Sequence, residues 1–351
     1  MRGHPPYTTY KSYKTYKSYT TYKFYCHLHP ARSPSSVPLP LTRPRHCGGT
    51  LSLKGRGKIN HMLQYLNIVK KILDAGTKNP TRTGVDALVI PGAIFEHEME
   101  NGYPLLTTKK TPFRLVASEL EFFIKGLTDK QWLADRDNHI WDEWANPTKA
   151  PYFHDETAKS KMAAERDLGP IYGFQWRHFN AAYKNYDTNY EGQGIDQLKN
   201  IIEKLKTNPS DRRLIVSAWN PLQLEQMALP PCHYLFQVTV TNNKLNLFWS
   251  QRSVDTMLGL PFNIASYALL LHLIAKQANL KEGKLVGFLA DVHIYKNHIE
   301  GAKEQLTRDP NKYPLPKIET PNFNSIFSWQ YTDTNLLNYE SYPRIKFDIA
   351  V

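Results

Sequence analysis

Among the side chains that could act as nucleophiles, Cys232 stands in the most constrained setting, after two prolines and directly before a predicted strand. The prolines fix the approach of the backbone and keep the thiol away from regular strand pairing. A guanidinium such as that of Arg252, placed near the thiol, would favour the reactive thiolate. A lone cysteine is more often a small buried hydrophobic residue, so the thiol alone leaves a structural role open.

Arginines are the second chemical feature of the sequence. Arg212 and Arg213 stand at a turn just before a predicted strand, and Arg252 lies in the segment QRSVD, residues 251–255. Guanidinium groups bind phosphate through paired, charge-assisted hydrogen bonds, so the three together indicate a phosphate site. The adjacent pair, taken alone, is equally consistent with solvated loop charge.

Glu119 lies in a predicted helix that is mostly apolar, and Asn263 stands directly before a second predicted apolar helix. A buried carboxyl group needs a reason, and a raised pKa would suit Glu119 to proton transfer near neutrality. The alternative is that Glu119 faces the surface. Asn263 directly precedes an apolar stretch, which is the usual position of a helix cap.

Hydrophobic spacing places these residues on an ordinary globular framework. It predicts helices over residues 62–75, 115–125, 195–206 and 264–278, and strands over residues 87–97, 214–219, 234–241 and 244–250. Asn242-Asn243 between the last two strands predicts a hairpin. The polar stretches 155–167 and 180–194 are predicted to be surface excursions. Because strands and helices mix without regular βαβ alternation, the sequence favours an α+β fold.

Composition divides the chain into two unequal parts. The 351 residues are 41% hydrophobic and 22% charged, which excludes wholesale disorder, and the net charge is +12. Residues 1–61 hold 11 of the 44 Lys and Arg residues and no acidic residue, which leaves 33 basic against 32 acidic side chains in residues 62–351. No apolar run is long enough to cross a bilayer. The second part has one cysteine and so no internal disulfide, which predicts a cytoplasmic protein without membrane contact.

Residues 1–61 are predicted to be a disordered basic extension, rich in Tyr and Lys and then in Pro and Arg. Tyrosine recurs at every third position from Tyr7 to Tyr25, a period that suits neither an amphipathic helix nor a strand. Alternating lysines and aromatic rings can contact phosphates and stack on bases, so nucleic-acid binding is expected only in this extension. A targeting peptide is a further interpretation, and a translation start at Met62 is another.

Six segments, in chain order, resemble the thymidylate synthase family. They are IWDEW (140–144), PPCH (230–233), QRSVD (251–255), LGLPFNIASY (258–267), DVHIYKNH (291–298) and the terminal IAV (349–351). The resemblance extends over residues 62–351 and implies a single catalytic domain, with a large mixed twisted sheet packed with helices. It also implies a homodimer whose active sites borrow residues across the interface.

The implied reaction is the reductive methylation of dUMP to dTMP. The co-substrate 5,10-methylenetetrahydrofolate would donate both the one-carbon unit and the hydride and leave as dihydrofolate, without a metal. Carbon 5 of uracil is a poor nucleophile, and thiolate addition at carbon 6 converts the ring into an enolate that can attack. By resemblance Cys232 would be that thiolate.

The resemblance also assigns roles to the other positions. Glu119 would move protons through ordered water, and Tyr172 would join the network that removes the carbon 5 hydrogen. The amide of Asn263 would donate to the 4-carbonyl of uracil and accept from its ring N–H, whereas cytosine would prefer a carboxylate there. The phosphate and ribose would be bound by Arg82, Arg252, Ser253, His293 and Tyr295, with Arg212 and Arg213 supplied by the partner subunit. The folate would contact Trp141, Asp255 and Ala350.

Three alternatives remain. In a deoxyuridylate hydroxymethylase, water instead of hydride would trap the same intermediate, but Trp141 and the terminal segment would both exclude water. A cysteine hydrolase would leave the arginines and Asn263 without a role. A nucleic-acid-binding protein would depend on residues 1–61 alone.

Four positions depart from the pattern usual in the family, and their effect on folate binding is left open. Pro112 replaces a usual His, Ser250 a usual Tyr and Ala290 a usual Gly, and Glu121 stands where an apolar residue is usual. Glu121 is two positions from Glu119 and should face another side of the helix, so no catalytic role is expected for it.

Overall fold

The structure is a computed structural model, and it describes residues 63–81, 84–153 and 155–349. The predicted extension, the candidate start at Met62, and the predicted site residues Arg82 and Ala350 lie outside the described residues.

A seven-stranded mixed sheet runs through the described part of the chain, in the order β1-β2-β7-β5-β4-β3, with β6 paired to β7. Its strands are β1 (Thr77–Asn79), β2 (Ala87–Glu98), β3 (Ile215–Ser217), β4 (His233–Thr241), β5 (Lys244–Gln251), β6 (Val254–Asp255) and β7 (Lys281–Tyr295). β7 is antiparallel to β2 but parallel to β5 and β6. Two short strands, β8 (Lys317–Glu319) and β9 (Asn335–Leu337), pair separately.

The described residues include the α-helices α1 (Leu63–Ala75), α2 (Phe113–Ile124), α3 (Gln131–Ala134), α4 (Glu156–Ala164), α5 (Tyr172–His178), α6 (Gln197–Thr207), α7 (Gly259–Gln277) and α8 (Ile299–Thr307). α1, α5, α6 and α7 pack against the sheet, whereas α2 packs on α5 and α7. α7 is buried along most of its length, as expected of a helix that is apolar on all sides, and Tyr267 on α7 stacks on Trp249 of β5. No helix in the described ranges combines the length and the apolar character needed to span a bilayer.

The α+β prediction is confirmed, and most predicted elements lie within a few residues of their observed positions. Asn242 and Asn243 have φ angles of 51° and 59°, which is the backbone of a type I′ hairpin turn between β4 and β5. The hydrophobic pattern does not predict β7. Its first residues are charged, and Gly283 and Gly287 interrupt the run of strand-forming residues.

One expectation is wrong. α7 begins at Gly259, so Asn263 lies inside the helix and does not cap it. Residues 155–167 are mostly exposed, as expected of a surface excursion, but they contain α4 and end at a fully buried aspartate, Asp167. The Asp167 carboxylate accepts hydrogen bonds from the Tyr183 hydroxyl and the Lys149 ammonium group, each at 2.5 Å. These two bonds offset the desolvation of the buried charge.

Candidate active site

Cys232 lies at the entry to β4, half-buried, with its backbone bonded on both sides. Its N–H donates to the Tyr172 hydroxyl at 2.8 Å, and its carbonyl accepts the N–H of Arg252 at 2.8 Å. The side chain is a thiol and not part of a disulfide. The nucleophile predicted from the sequence is therefore held by the first turn of α5 and by the segment that follows β5.

The Arg252 side chain fixes the two prolines before Cys232. Its Nε donates to the carbonyl of Pro231 at 3.0 Å and its Nη2 to the carbonyl of Pro230 at 2.8 Å. The guanidinium also lies 5.4 Å from the ring centre of Trp219. The proline carbonyls have no helical or strand partner here, so Arg252 satisfies them and brings a permanent positive charge to the backbone that leads into Cys232.

The residues next to Cys232 form an aromatic stack. The His233 ring stacks on Tyr172 with centroids 4.4 Å apart, and Tyr172 stacks in turn on Phe123 at 4.9 Å. His233 Nδ1 lies 2.9 Å from the Tyr267 hydroxyl. Burial lowers the pKa of His233 to about 3, so the imidazole is neutral near pH 7. It cannot serve as the general base that a cysteine hydrolase would need.

Glu119 is half-buried on α2, and Trp141 holds its carboxyl group. The indole Nε1 of Trp141 donates to Glu119 Oε1 at 2.8 Å. Burial raises the pKa of Glu119 to about 7, and the indole hydrogen bond opposes part of this rise because it stabilises the charged form. Burial raises the pKa of Tyr172 and of Tyr267, and the Glu119 charge adds to both rises. A carboxyl group with a pKa near 7 can both give and take a proton at neutral pH.

Gln251 orients the amide of Asn263. Gln251 Nε2 donates to Asn263 Oδ1 and to the Ser253 carbonyl, each at 3.0 Å, and Trp249 Nε1 donates to Gln251 Oε1 at 3.2 Å. The Gln251 contact fixes which end of the Asn263 amide carries the oxygen. The QRSVD motif does not predict this role of Gln251; the signal in the sequence is a polar residue at an inward position of β5.

Asp255 and His293 are neighbours because β6 pairs with β7 in a register that places them opposite each other. Asp255 Oδ1 accepts the N–H groups of Met257 and Leu258, at 3.0 and 3.1 Å, just before α7 begins. His293 Nδ1 lies 2.9 Å from Asp291 Oδ1, and the Tyr295 ring meets the His293 ring edge-on. The end of β7 thus presents His293 and Tyr295 close to the start of α7.

Arg212 and Arg213 are not brought to Cys232 of the same chain. Both side chains are exposed. Arg213 pairs with Asp211, and the hydrogen bonds from Arg213 lower the pKa of the Asp211 carboxyl group to about 2. The next residue, Leu214, bonds to Val238 of β4. Val238 is six residues from Cys232, roughly 20 Å along a strand that rises about 3.3 Å per residue.

The thymidylate synthase family model matches residues 63–351. The chain belongs to the thymidylate synthase family. Relatives include a bifunctional dihydrofolate reductase-thymidylate synthase of Paramecium tetraurelia, 46% identical over 82% of this chain, and one of Leishmania major, 45% identical over 82% of this chain. The chain spans 61% and 55% of these two relatives. A thymidylate synthase of Mycoplasma pneumoniae is 42% identical over 83% of this chain and 100% of its own length.

Of the four positions that depart from the usual thymidylate synthase pattern, Glu121 has a clear structural role. Its side chain is 2% exposed, pairs with Lys125 at 2.5 Å, and accepts the N–H of Tyr331 at 2.7 Å. Pro112 occupies the N-cap position of α2 and makes no side-chain capping hydrogen bond. Ser250 and Ala290 line a depression on the open face of the sheet.

Lys109 is a further residue that sequence reasoning missed. It is buried, its Nζ donates to the Met257 carbonyl, and it lies 4.7 Å from the ring centre of Phe347 near the end of the chain. Burial lowers the pKa of Lys109 to about 8, and the Asp255 carboxylate opposes that change. Lys109 lies between elements, in a stretch without hydrophobic periodicity, so the sequence pattern carries no signal for it.

Proposed function

We propose that this chain catalyses the reductive methylation of dUMP to dTMP, with 5,10-methylenetetrahydrofolate as donor of both the carbon and the hydride. The observation that carries the proposal is a half-buried thiol whose backbone is bonded to Tyr172 and Arg252, where the Tyr172 ring contacts Trp141 and Trp141 donates to a Glu119 carboxyl group with a pKa of about 7. Family membership supports the same reaction.

Cys232 is the proposed nucleophile toward carbon 6 of the uracil ring. Its thiolate would be favoured by the positive charge of the Arg252 guanidinium. His233 cannot supply this charge, because it is neutral near pH 7 and bonded to Tyr267. Two of the Arg252 nitrogens hold proline carbonyls, while Nη1 makes no hydrogen bond within the described residues. Nη1 would bind the nucleotide phosphate together with Ser253 and Arg82.

Asn263 is proposed to select uracil. Its Oδ1 accepts from Gln251, so the remaining lone pair can accept the ring N–H and its NH₂ group can donate to the 4-carbonyl. Cytosine presents the opposite pattern at these two positions and would leave both pairs mismatched. His293 and Tyr295 would bind the ribose hydroxyl from the end of β7.

Proton transfer is assigned to Glu119 and Tyr172. Glu119 would exchange a proton with the 4-carbonyl side of the ring through water as charge develops there. The Tyr172 oxygen accepts the Cys232 N–H, and its own hydrogen remains for the network that removes the carbon 5 proton. Burial raises the pKa of Tyr172 well above its usual range, so it acts as a neutral hydroxyl.

The folate site is proposed beside Trp141 and Asp255. When bound, the co-substrate supplies the one-carbon unit and the hydride. The Asp255 carboxylate fits a pterin ring, because Oδ1 is used by the N–H groups of Met257 and Leu258 whereas Oδ2 makes no hydrogen bond within the described residues and can accept a ring N–H. Trp141 would pack on the folate, and the terminal segment with Ala350 would close over it.

We further propose a homodimer in which Arg212 and Arg213 bind the phosphate in the partner's site. Their distance from Cys232 of the same chain supports this. An apolar face of the sheet supports it as well: Ile94 is 58% and Phe288 46% exposed, and they line a depression of about 610 Å³ with Tyr234. Apolar area of this kind favours burial against a second copy. The lone thiol of the described residues supports a cytoplasmic location.

The decisive experiment incubates the full chain with dUMP and methylenetetrahydrofolate, and measures the mass of the nucleotide product together with dihydrofolate absorbance. We expect dTMP and dihydrofolate in equal amounts, and no product from Cys232→Ser. A variant carrying Cys26→Ser and Cys47→Ser is the matched control and should keep full activity. A hydroxymethylated nucleotide without dihydrofolate would contradict the proposal and establish the hydroxymethylase.

A further inference from the structure

Lys130 is a buried cation bonded only to backbone carbonyls in the described residues. Its side chain is 5% exposed, and its Nζ donates to the carbonyls of Asp142 at 2.8 Å, Trp144 at 2.9 Å and Met162 at 2.6 Å. An ammonium group has three N–H donors, so this arrangement satisfies it completely. Burial lowers the pKa of Lys130, while Asp142 and Glu165 oppose that change.

The three carbonyls belong to two segments that are separate in sequence. Asp142 and Trp144 lie in the turn that begins at Trp141, closed by the hydrogen bond from the Trp144 N–H to the Trp141 carbonyl at 3.0 Å. Met162 lies in the last turn of α4, where helix carbonyls lack intrahelical partners and carry partial negative charge. Lys130 therefore joins the turn to the end of α4.

The turn in question carries the side chain that contacts Glu119. Trp141 donates to Glu119 Oε1 and meets the ring of Tyr172 edge-on, with centroids 6.1 Å apart. Its position depends on the turn backbone, and the Lys130 bonds hold the two carbonyls that flank Glu143. Loss of these bonds would leave buried carbonyls without donors and drive the turn toward solvent.

We propose that Lys130 is a positioning residue for the methyl transfer, because it holds the turn from which Trp141 reaches Glu119 and the folate. This inference rests on the proposed function of Trp141 and Glu119. Lys130 does not touch either reactant and acts through the backbone of the turn. A displacement of Trp141 by about 1 Å is of the size that reduces turnover strongly in enzymes.

The test compares Lys130→Met with Lys149→Ala. Met keeps the length of the side chain without its donors. Lys149 is the matched control, since its ion pair with Asp167 also anchors residues 146–168 but leaves the Trp141 turn untouched. Both variants should lower the thermal midpoint. Only Lys130→Met should raise the KM for the folate and lower kcat, each by about tenfold, while the KM for dUMP changes less than about twofold.

A second readout does not depend on activity. The indole N–H resonance of Trp141, identified by its loss in Trp141→Phe, should move in Lys130→Met and stay in place in Lys149→Ala. If Lys130→Met does not fold, Lys130→Arg keeps the charge with a different donor geometry and should show a smaller shift of the same kind. Folded Lys130 variants with an unchanged resonance and folate KM would overturn the inference. A wild-type chain that makes no dTMP would instead overturn the proposed function.

Discussion

Replacing Glu119 by Gln should stabilise the ligand-free protein at pH 8 and have much less effect at pH 5. The pKa of Glu119 is about 7 in the folded chain against 4.5 for a free carboxyl group, and burial is the main cause. The folded state therefore binds more protons than the unfolded state between these values, so the stability contributed by this group falls as the pH rises from 4.5 to 7. At about 1.4 kcal/mol per pKa unit, the ionised carboxylate destabilises the fold by up to about 3 kcal/mol at pH 8. Gln carries no charge and can still accept the Trp141 hydrogen bond, so the variant should recover most of this lost stability.

Urea unfolding at fixed protein concentration measures the effect. The gain for Glu119→Gln should be about 3 kcal/mol at pH 8 and less than about 1 kcal/mol at pH 5, because the folded wild-type carboxyl group is then almost fully protonated. Glu121→Gln, on the same helix, is the control: it removes a buried charge that pairs with the partly exposed Lys125 ammonium group and should lower stability at pH 8. Equal gains for Glu119→Gln at both pH values, or no gain at pH 8, would refute the reasoning.

Three further predictions concern the site. Trp141→Phe removes the donor to Glu119 and should raise the Glu119 pKa by about one unit, read from its carboxyl ¹³C resonance; an unchanged titration would show that the indole does not stabilise the carboxylate. Gln251→Leu frees the Asn263 amide and should reduce the preference for dUMP over dCMP by about tenfold in kcat/KM, whereas an unaltered ratio would mean that Asn263 is oriented without it. The variants Arg212→Glu and Cys232→Ser, each inactive alone, should regain about a quarter of wild-type activity when equal amounts are mixed. Half of the dimers are then mixed, and one site in each mixed dimer has both native residues. No recovery would place Arg212 in the site of its own subunit.

The sequence predicts the local elements well where one face of an element is buried. The helix over residues 62–75 and the hairpin at Asn242-Asn243 follow from spacing and turn chemistry alone. β7 is different, because it is stabilised by pairing on both sides with β2 and β5 and tolerates charges and glycines that a strand pattern excludes. α7 also begins earlier than the apolar pattern predicts, at Gly259, so that Asn263 lies inside it; its N-cap residue, Leu258, makes no side-chain capping hydrogen bond, so no capping residue marks this start in the sequence.

The site residues were recognisable by their motifs, but their contacts were not. Arg252 was expected to bind phosphate, and nothing in the sequence shows that two of its nitrogens hold the carbonyls of Pro230 and Pro231. In the sequence Lys130 is a charged residue in a polar stretch, with no pattern that predicts burial. In the structure it is buried, and its ammonium group bonds three backbone carbonyls. Such contacts join segments distant in the chain, and local patterns carry no information about them.

The titratable groups around Cys232 differ in their protonation states near neutral pH. His233 is adjacent in sequence and stacked on Tyr172, yet burial lowers its pKa to about 3, so it contributes shape and a hydrogen bond to Tyr267 but no proton transfer near neutrality. Burial also raises the pKa of Tyr172 and Tyr267 and keeps both hydroxyl groups neutral. Among these groups Glu119 alone has a pKa near 7. The proposed mechanism therefore assigns nucleophile activation to Arg252 and proton transfer to Glu119, and it predicts that the pH dependence of the reaction follows Glu119 rather than the histidine beside the proposed nucleophile.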